Sequence, residues 1–343
     1  MSRRRARLRD ELVTLAHGSG GKASRALVEG LFLEELGNPL LEPLGDAALL
    51  EVNGSRLAFT TDSYVVHPLE FPGGDIGELA VNGTVNDLAV AGARPIALSA
   101  GFVVEEGFEV ARLRRLAASM ARAADRAGVP IATGDTKVVE RGKADGLYIN
   151  TAGIGELYEG ARLGAEHVRD GDVVIVSGTL ADHGMAVMIA RGDLQLEAQL
   201  ESDTAPLHEL TADLHGLGPA VRWLRDPTRG GLATCLNELA QEIGLAVVLE
   251  ESRLAVRPAV AGACEILGID PLYVANEGKL VAVVAPEAAE EAARRLRALP
   301  LGEDAAIIGE IRAEPAGLVL LETSFGGARI VDMLVGDPLP RIC

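Results

Sequence analysis

The chain has 343 residues, 48% hydrophobic and only 3% aromatic, which is enough for two domains with cores of Ala, Gly, Val and Leu. Asp and Glu outnumber Lys and Arg by 50 to 32, and the formal net charge of −18 argues against non-specific binding to DNA or RNA. Three cysteines without metal-ligand spacing, Cys235, Cys264 and Cys343, argue against a disulfide scaffold and point to a reducing cytoplasm.

Residues 1–45 read as an N-terminal arm. Its opening "MSRRRARLRDEL" is basic but has no apolar run behind it, so it does not read as an export signal. No uncharged run of about 18 apolar residues occurs, so no membrane span is expected. The arm continues through the glycine loop "HGSGGK" (His17 to Lys22) into a helix near 23–36. Glycines let backbone N–H groups approach a phosphate, and a helix start adds a favourable dipole. The spacing is not that of a P-loop, and a flexible turn before a helix fits the loop equally well.

From residue 46 strand and helix patterns alternate. "RLAFTTDSYVV", "IALSAGFVV" and "GLYINTAGIG" read as strands. "DIGELAVNGTVNDLAVAGA" is helical in pattern, and "EVARLRRLAASMARAADRAG" is a helix that stops at a glycine. The charged, glycine-rich stretch "GELYEGARLGAEHVRDGD" places a domain boundary near 155–170, giving α/β domains over 46–160 and 161–325. "DVVIVSG", "AVVLEE", "KLVAVVAP" and "GLVLLE" are the strands expected in the second. Residues 326–343 carry Gly326, Gly327, Pro338 and Pro340 and read as a flexible, extended tail ending in Cys343. No short-period repeat or low-complexity segment is present.

Carboxylates carry the chemical signal. Asp46 follows a glycine and precedes an apolar strand; Asp62 lies in "TTDS", Asp87 in "VNDLA" and Asp135 in "TGDTK". Asp62 and Asp87 lie in apolar surroundings, where an unpaired carboxylate is costly, and a divalent cation or a hydrogen-bond network would explain them. Asp75, Asn82 and Asn86 form a polar stripe at helical spacing, readable as a site or as a satisfied structural network. Lys137 is a point charge for phosphate or a base. "RDPTRGG" opens a helix in an anion-friendly way, and "NEGK" sets Glu277 just before a buried strand, where a lone glutamate is usually solvated. His183, in "VSGTLADHG", reads as a local turn hydrogen bond or a functional group.

In this order the stretches "HGSGGK", "TTDSYVVHPLEFPGGDIGELAVNGTVNDLAVAGARP", "TGDTKVV", "INTAGIGE", "VSGTLADHGMAV", "RDPTRGGLATCLNE", "NEGK" and "PRIC" closely resemble the HypE family of hydrogenase-maturation carbamoyl dehydratases. That family falls within the aminoimidazole-ribotide synthetase (PurM-like) superfamily. The stretches span nearly the entire chain, and distant relatives share the glycine loop and aspartates but lack the cysteine tail. The resemblance implies two PurM-like α/β domains, each a mixed sheet flanked by helices. It makes 1–45 an arm with a nucleotide loop, 46–160 the ATP-binding and dimerisation domain, and 326–343 the carrier of the reacting cysteine. It implies ATP and Mg²⁺, a homodimer formed by paired first-domain sheets, and a cytoplasmic protein without nucleic-acid or membrane partners. HypF would load Cys343 with a carbamoyl group, ATP would drive its dehydration to thiocyanate, and the HypC–HypD complex would receive the cyanide.

The resemblance further implies that Cys343, Glu277 and Lys137 are catalytic, with either Glu277 or Lys137 as base. Gly18, Ser19, Gly20, Gly21, Lys22, Asp62, Asn86, Asp135, Thr136, Thr228 and Arg229 would bind the nucleotide, and Asp46, Asp62, Asp87 and Asp135 the metal. One departure stands out: many relatives carry two adjacent acids where this chain reads "LGDAALL", with only Asp46 after Gly45. The missing ligand is either lost or supplied by another aspartate. A small-molecule ATP enzyme of the same superfamily would not need Cys343, and a non-enzymatic adaptor would leave the aspartates without a purpose.

Overall fold

A computed structural model describes residues 6–192, 200–336, 339 and 341–343. Pro338 and Pro340, expected to stiffen the tail, lie outside the described residues, as does the start of the basic opening.

The arm holds short helices α1 (Lys22–Leu27) and α2 (Leu33–Leu36) joined by a π-helical turn. The first sheet follows: β1 (Ala48–Val52), β2 (Ser55–Tyr64), β5 (Ala93–Glu105), β6 (Ile131–Val139) and β7 (Leu147–Leu157), in the order β1-β2-β7-β5-β6. Only β5 and β6 run parallel. A small hairpin, β3 (Glu70–Phe71) with β4 (Gly74–Asp75), precedes helix α3 (Ile76–Val90). Asp75 caps that helix, its Oδ1 accepting from the N–H groups of Gly77 (2.8 Å) and Glu78 (3.0 Å). Helix α3 is buried almost all round, since its small residues fit between the sheet and α4 (Val110–Ala127). Helix α4 is amphipathic and ends at Gly128, whose φ of +65° is the left-handed conformation a helix stop requires.

The second sheet comprises β8 (Val173–Val176), β9 (Val221–Arg225), β10 (Ala246–Glu250), β11 (Val281–Val284), β12 (Ala306–Arg312), β13 (Val319–Glu322) and β14 (Ala328–Ile330). Its order is β14-β13-β10-β12-β8-β11-β9, with β10 and β13 parallel. Helices α5 (Asp182–Ala190), α6 (His208–His215), α7 (Gly231–Ile243), α8 (Pro258–Leu267) and α9 (Ala289–Arg297) accompany it. Two mixed sheets flanked by helices are the expected architecture.

Two features position the site. Helices α5 and α8 belong to the second half of the chain, yet Met185, Val187, Val260 and Ala263 join the core of the first sheet. The tail docks: β14 pairs with β13, Val331, Met333 and Leu334 are buried, and Leu339 and Ile342 enter the first-sheet core. Cys343 therefore packs against the body of the protein. Strand β6 was not anticipated from sequence, and its residues 131–138 are exposed. Phe59, Ile96 and Val138 add exposed apolar surface on the same sheet. No helix among the described residues is long and apolar enough to cross a membrane.

Candidate active site

A cavity of about 440 Å³ lies where the two sheets' helices, the arm and the tail meet. Its polar wall is a trio of carboxylates: Asp46 just before β1, Asp87 near the end of α3 and Asp226 just after β9. One oxygen from each lies within 4.8 Å of the others. Thr60 on β2 touches two of these residues, its Oγ1 lying 2.8 Å from Asp87 Oδ2 and 2.7 Å from the Asp46 carbonyl. Arg225 pairs with the trio directly, its Nε 2.9 Å from Asp46, and it is shared with Glu238. That one ion pair does not balance three acids. Burial, followed by repulsion from Asp46, pushes Asp226 up to about 7. Burial, then Asp226, Asp46 and Asp62, hold Asp87 well above the carboxylate range, and burial also raises Asp46 against the pull of Arg225. An all-oxygen, under-neutralised cluster is the donor set a hard divalent cation takes. Asp226 completes a carboxylate trio around the single acid at Asp46. The sequence does not single it out, because "RDPTRGG" reads as a helix start; its position directly after a buried strand was the available signal.

Glu277 lines the same cavity. Its side chain is buried, its Oε1 has no partner among the described residues, and burial followed by Asp226, Asp62 and Asp203 raises its carboxyl well above its usual range. Its main chain is pinned instead. Asp203 Oδ1 accepts from Glu277 N–H at 3.1 Å while Oδ2 pairs with Lys279 at 3.0 Å. Asn86 donates both amide hydrogens, to the carbonyls of Glu277 and Ala205 (3.1 Å each), and accepts from Leu207 N–H at 2.8 Å. Both ends of the Asn86 amide are thus engaged, and here it clamps the Glu277 segment and does not line the cavity. Asn82 binds Thr204 Oγ1 at 3.1 Å, so the polar stripe of α3 is a structural network between the two halves of the chain.

Cys343 lies at the cavity beside Asp62, Arg229 and Glu277. Burial pushes its thiol up to about 12, with Glu277 and Asp62 adding to the rise and Arg229 opposing it. Arg229 follows Thr228 in the turn before α7. Gly230 caps α7 and Gly231 opens it, at φ +76° and +60°, and a Cβ on Gly231 would meet the Leu272 carbonyl. Of the glycine loop, Gly20 reaches the cavity, while Gly18 and Ser19 line an adjoining pocket beside the tail. Gly21 packs on Leu334, Lys22 N–H donates to the Leu334 carbonyl (3.0 Å), and the Lys22 ammonium pairs with Asp332 at 2.7 Å. The loop therefore fastens the arm to the tail.

Asp135, Thr136 and Lys137 are not brought to this cavity. They lie on the exposed strand β6, where Lys137 Nζ pairs with Asp135 at 2.6 Å. Cys235 and Cys264 are buried, and burial raises both thiols.

Residues 44–157 match the family model for the AIR synthase related protein N-terminal domain, and 169–320 the model for its C-terminal domain. The carbamoyl dehydratase HypE of Rhodobacter capsulatus is 58% identical over 339 residues, covering 98% of this chain and 99% of that protein. A solved HypE–HypF complex superposes with a TM-score of 0.86 at 48% identity, over 90% of this chain and all of that one. A hydrogenase maturation protein HypE solved in complex with ATP gives 0.80 at 47% identity, over 97% of this chain and all of that one.

Proposed function

The chain belongs to the HypE family of carbamoyl dehydratases, and we propose that it uses ATP to dehydrate an S-carbamoyl group on its own Cys343. The product is an S-cyano group, the source of the cyanide ligand of the [NiFe]-hydrogenase iron. The observation that carries this reading is the seat of Cys343 in one cavity with Glu277, Arg229 and the carboxylate trio.

Loss of water from a carboxamide is slow because oxide leaves poorly. Attack of the carbamoyl oxygen on the γ-phosphorus of ATP releases ADP and turns that oxygen into a phosphate ester. The C–O bond then breaks with phosphate leaving, the nitrogen loses two protons in all, and the C≡N bond forms. Arg229 offers charge-assisted hydrogen bonds to the transferred phosphoryl group. Glu277, ionised, takes an N–H proton; its raised affinity for protons makes it a stronger base than an ordinary carboxylate. Asp46, Asp87 and Asp226, with Asp62 at the cavity edge, would hold Mg²⁺, which when bound neutralises phosphate charge. The trio replaces the expected set that included Asp135. Gly20 and Thr228 flank the space assigned to the phosphates.

Lys137 reaches the reaction in this reading only from a second copy. The exposed strand β6 and the exposed apolar side chains of the first sheet support a homodimer formed through that sheet. HypF is the proposed carbamoyl donor, since a close relative is solved as a HypE–HypF complex. The HypC–HypD complex is the proposed acceptor, and the cytoplasm the compartment.

Intact-mass measurement tests the reaction. Protein carrying one carbamoyl group should lose the mass of one water on addition of ATP and Mg²⁺. A carbamoylated tail that survives many hours with both would refute it.

A further inference from the structure

The motif "VSGTLADHG" has no part in the reaction above, yet its histidine touches the tail. His183, the second residue of α5, is fully buried. Its Nε2 lies 2.9 Å from the carbonyl of Ile342, and its Nδ1 lies 2.7 Å from Ser202 Oγ. The ring of Phe71 stands edge-on at 5.5 Å.

The hydrogen bonds determine the tautomer. Burial lowers the imidazole's proton affinity, so the ring is neutral and carries one proton. A carbonyl can only accept, so that proton is on Nε2, and Nδ1 accepts from the Ser202 hydroxyl. Ser202 Oγ in turn accepts from Thr204 N–H at 3.1 Å, which closes the chain. The next residue, Asp203, holds the N–H of Glu277. One short segment thus fixes the carbonyl before Cys343 and the backbone of the proposed base.

We propose that His183, oriented by Ser202, is the latch that seats Cys343 in the cavity: a positioning residue for dehydration, acting through the Ile342 carbonyl. The inference rests on Cys343 being the reacting residue, but docking can be measured without the reaction. The Arg341 carbonyl accepts from Arg191 Nη2 (2.9 Å) and His67 N–H (3.2 Å), and Val65 N–H donates to the Cys343 oxygen (3.1 Å). These contacts hold the chain on either side, and the His183 bond orients the peptide leading into Cys343.

The test uses full-length protein and two readouts. The first is the rate at which iodoacetamide alkylates Cys343, followed by mass on the tail peptide. His183→Leu should speed it about 10-fold, the worth of a buried hydrogen bond lost with its acceptor left unpaired. His183→Gln, which can place an N–H near the Nε2 position, should stay near the parent. The second is single-turnover dehydration of protein S-carbamoylated with potassium cyanate, which should fall about 10-fold in His183→Leu and recover in His183→Gln. Parent-like alkylation in folded His183→Leu would overturn the latch. If that variant does not fold, Ser202→Ala carries the same test, and parent-like alkylation there overturns it. Faster alkylation in these variants, in a parent that never dehydrates its tail, would support the latch and remove the reaction.

Discussion

Asp226→Asn isolates what the carboxylate trio does to the protein. Asp226 takes up its proton near 7 in the native state instead of near 3.8. A group that binds its proton more tightly when folded favours the fold while protonated. Its burden on stability therefore grows as pH rises from about 4 to about 7 and stays constant above. That displacement corresponds to on the order of 4 kcal/mol, shared through repulsion with Asp46 and Asp87. Asparagine keeps the shape and removes the charge. Without divalent cations, at about pH 8, the variant should melt higher than the parent by about 5 °C, and the gap should close by about pH 4. Saturating Mg²⁺ should raise the parent by more than the variant, because the variant lacks a ligand. Thermal melts across pH, with and without Mg²⁺, measure both effects. A variant less stable than the parent at about pH 8 without cations, or an equal response of both proteins to Mg²⁺, would refute the charge argument.

Cys343→Ala should fold and bind ATP normally but accept no carbamoyl group, as read by intact mass. Glu277→Gln should load and bind ATP, yet dehydrate its tail about 10²–10⁴-fold more slowly. In the parent, single-turnover dehydration should fall on acidification because Glu277 must be ionised, and its raised affinity for protons places that fall well above the ordinary glutamate range. Glu277→Gln should lose that limb of the profile. Gly278→Ala would drive a Cβ into the Asp203 carbonyl. Dehydration should drop while nucleotide titrations stay at parent values, and a loss confined to nucleotide affinity would contradict the pinned-backbone account.

Elements with strong local patterns were legible from sequence. Helix α4 shows its apolar stripe and its glycine stop, and the buried strands β8, β10, β11 and β13 are continuous apolar runs. Strand β6 was not, because "IATGDTKVV" mixes charge with exposed apolar residues and gains its ladder from β5. Strands β9 and β12 were missed as well, being short or interrupted by a glycine and charges. Glu277, Cys343, Asp46, Asp62 and Asp87 were singled out and meet at one cavity. Asp226 was hidden inside a motif with another plausible purpose. Asn86 looked like a ligand because its partners lie more than a hundred residues away. His183 is a further case of the same limit, since a turn-like context cannot reveal a bond to Ile342.

The docked tail also sets how the protein divides its time. Burying Ile342 contributes about 1.5–3 kcal/mol, while ordering the last three residues opposes it by about 3–6 kcal/mol of backbone entropy. The few hydrogen bonds at Arg341, Ile342 and Cys343, each worth about 1 kcal/mol, then decide the balance. A margin of about 2 kcal/mol leaves the tail released in about three molecules in a hundred at any instant. A protein that grips the released tail with even modest affinity can therefore draw it out, and dissociation alone returns it. Neither leg of the journey needs an energy source of its own, so ATP can be reserved for the chemistry.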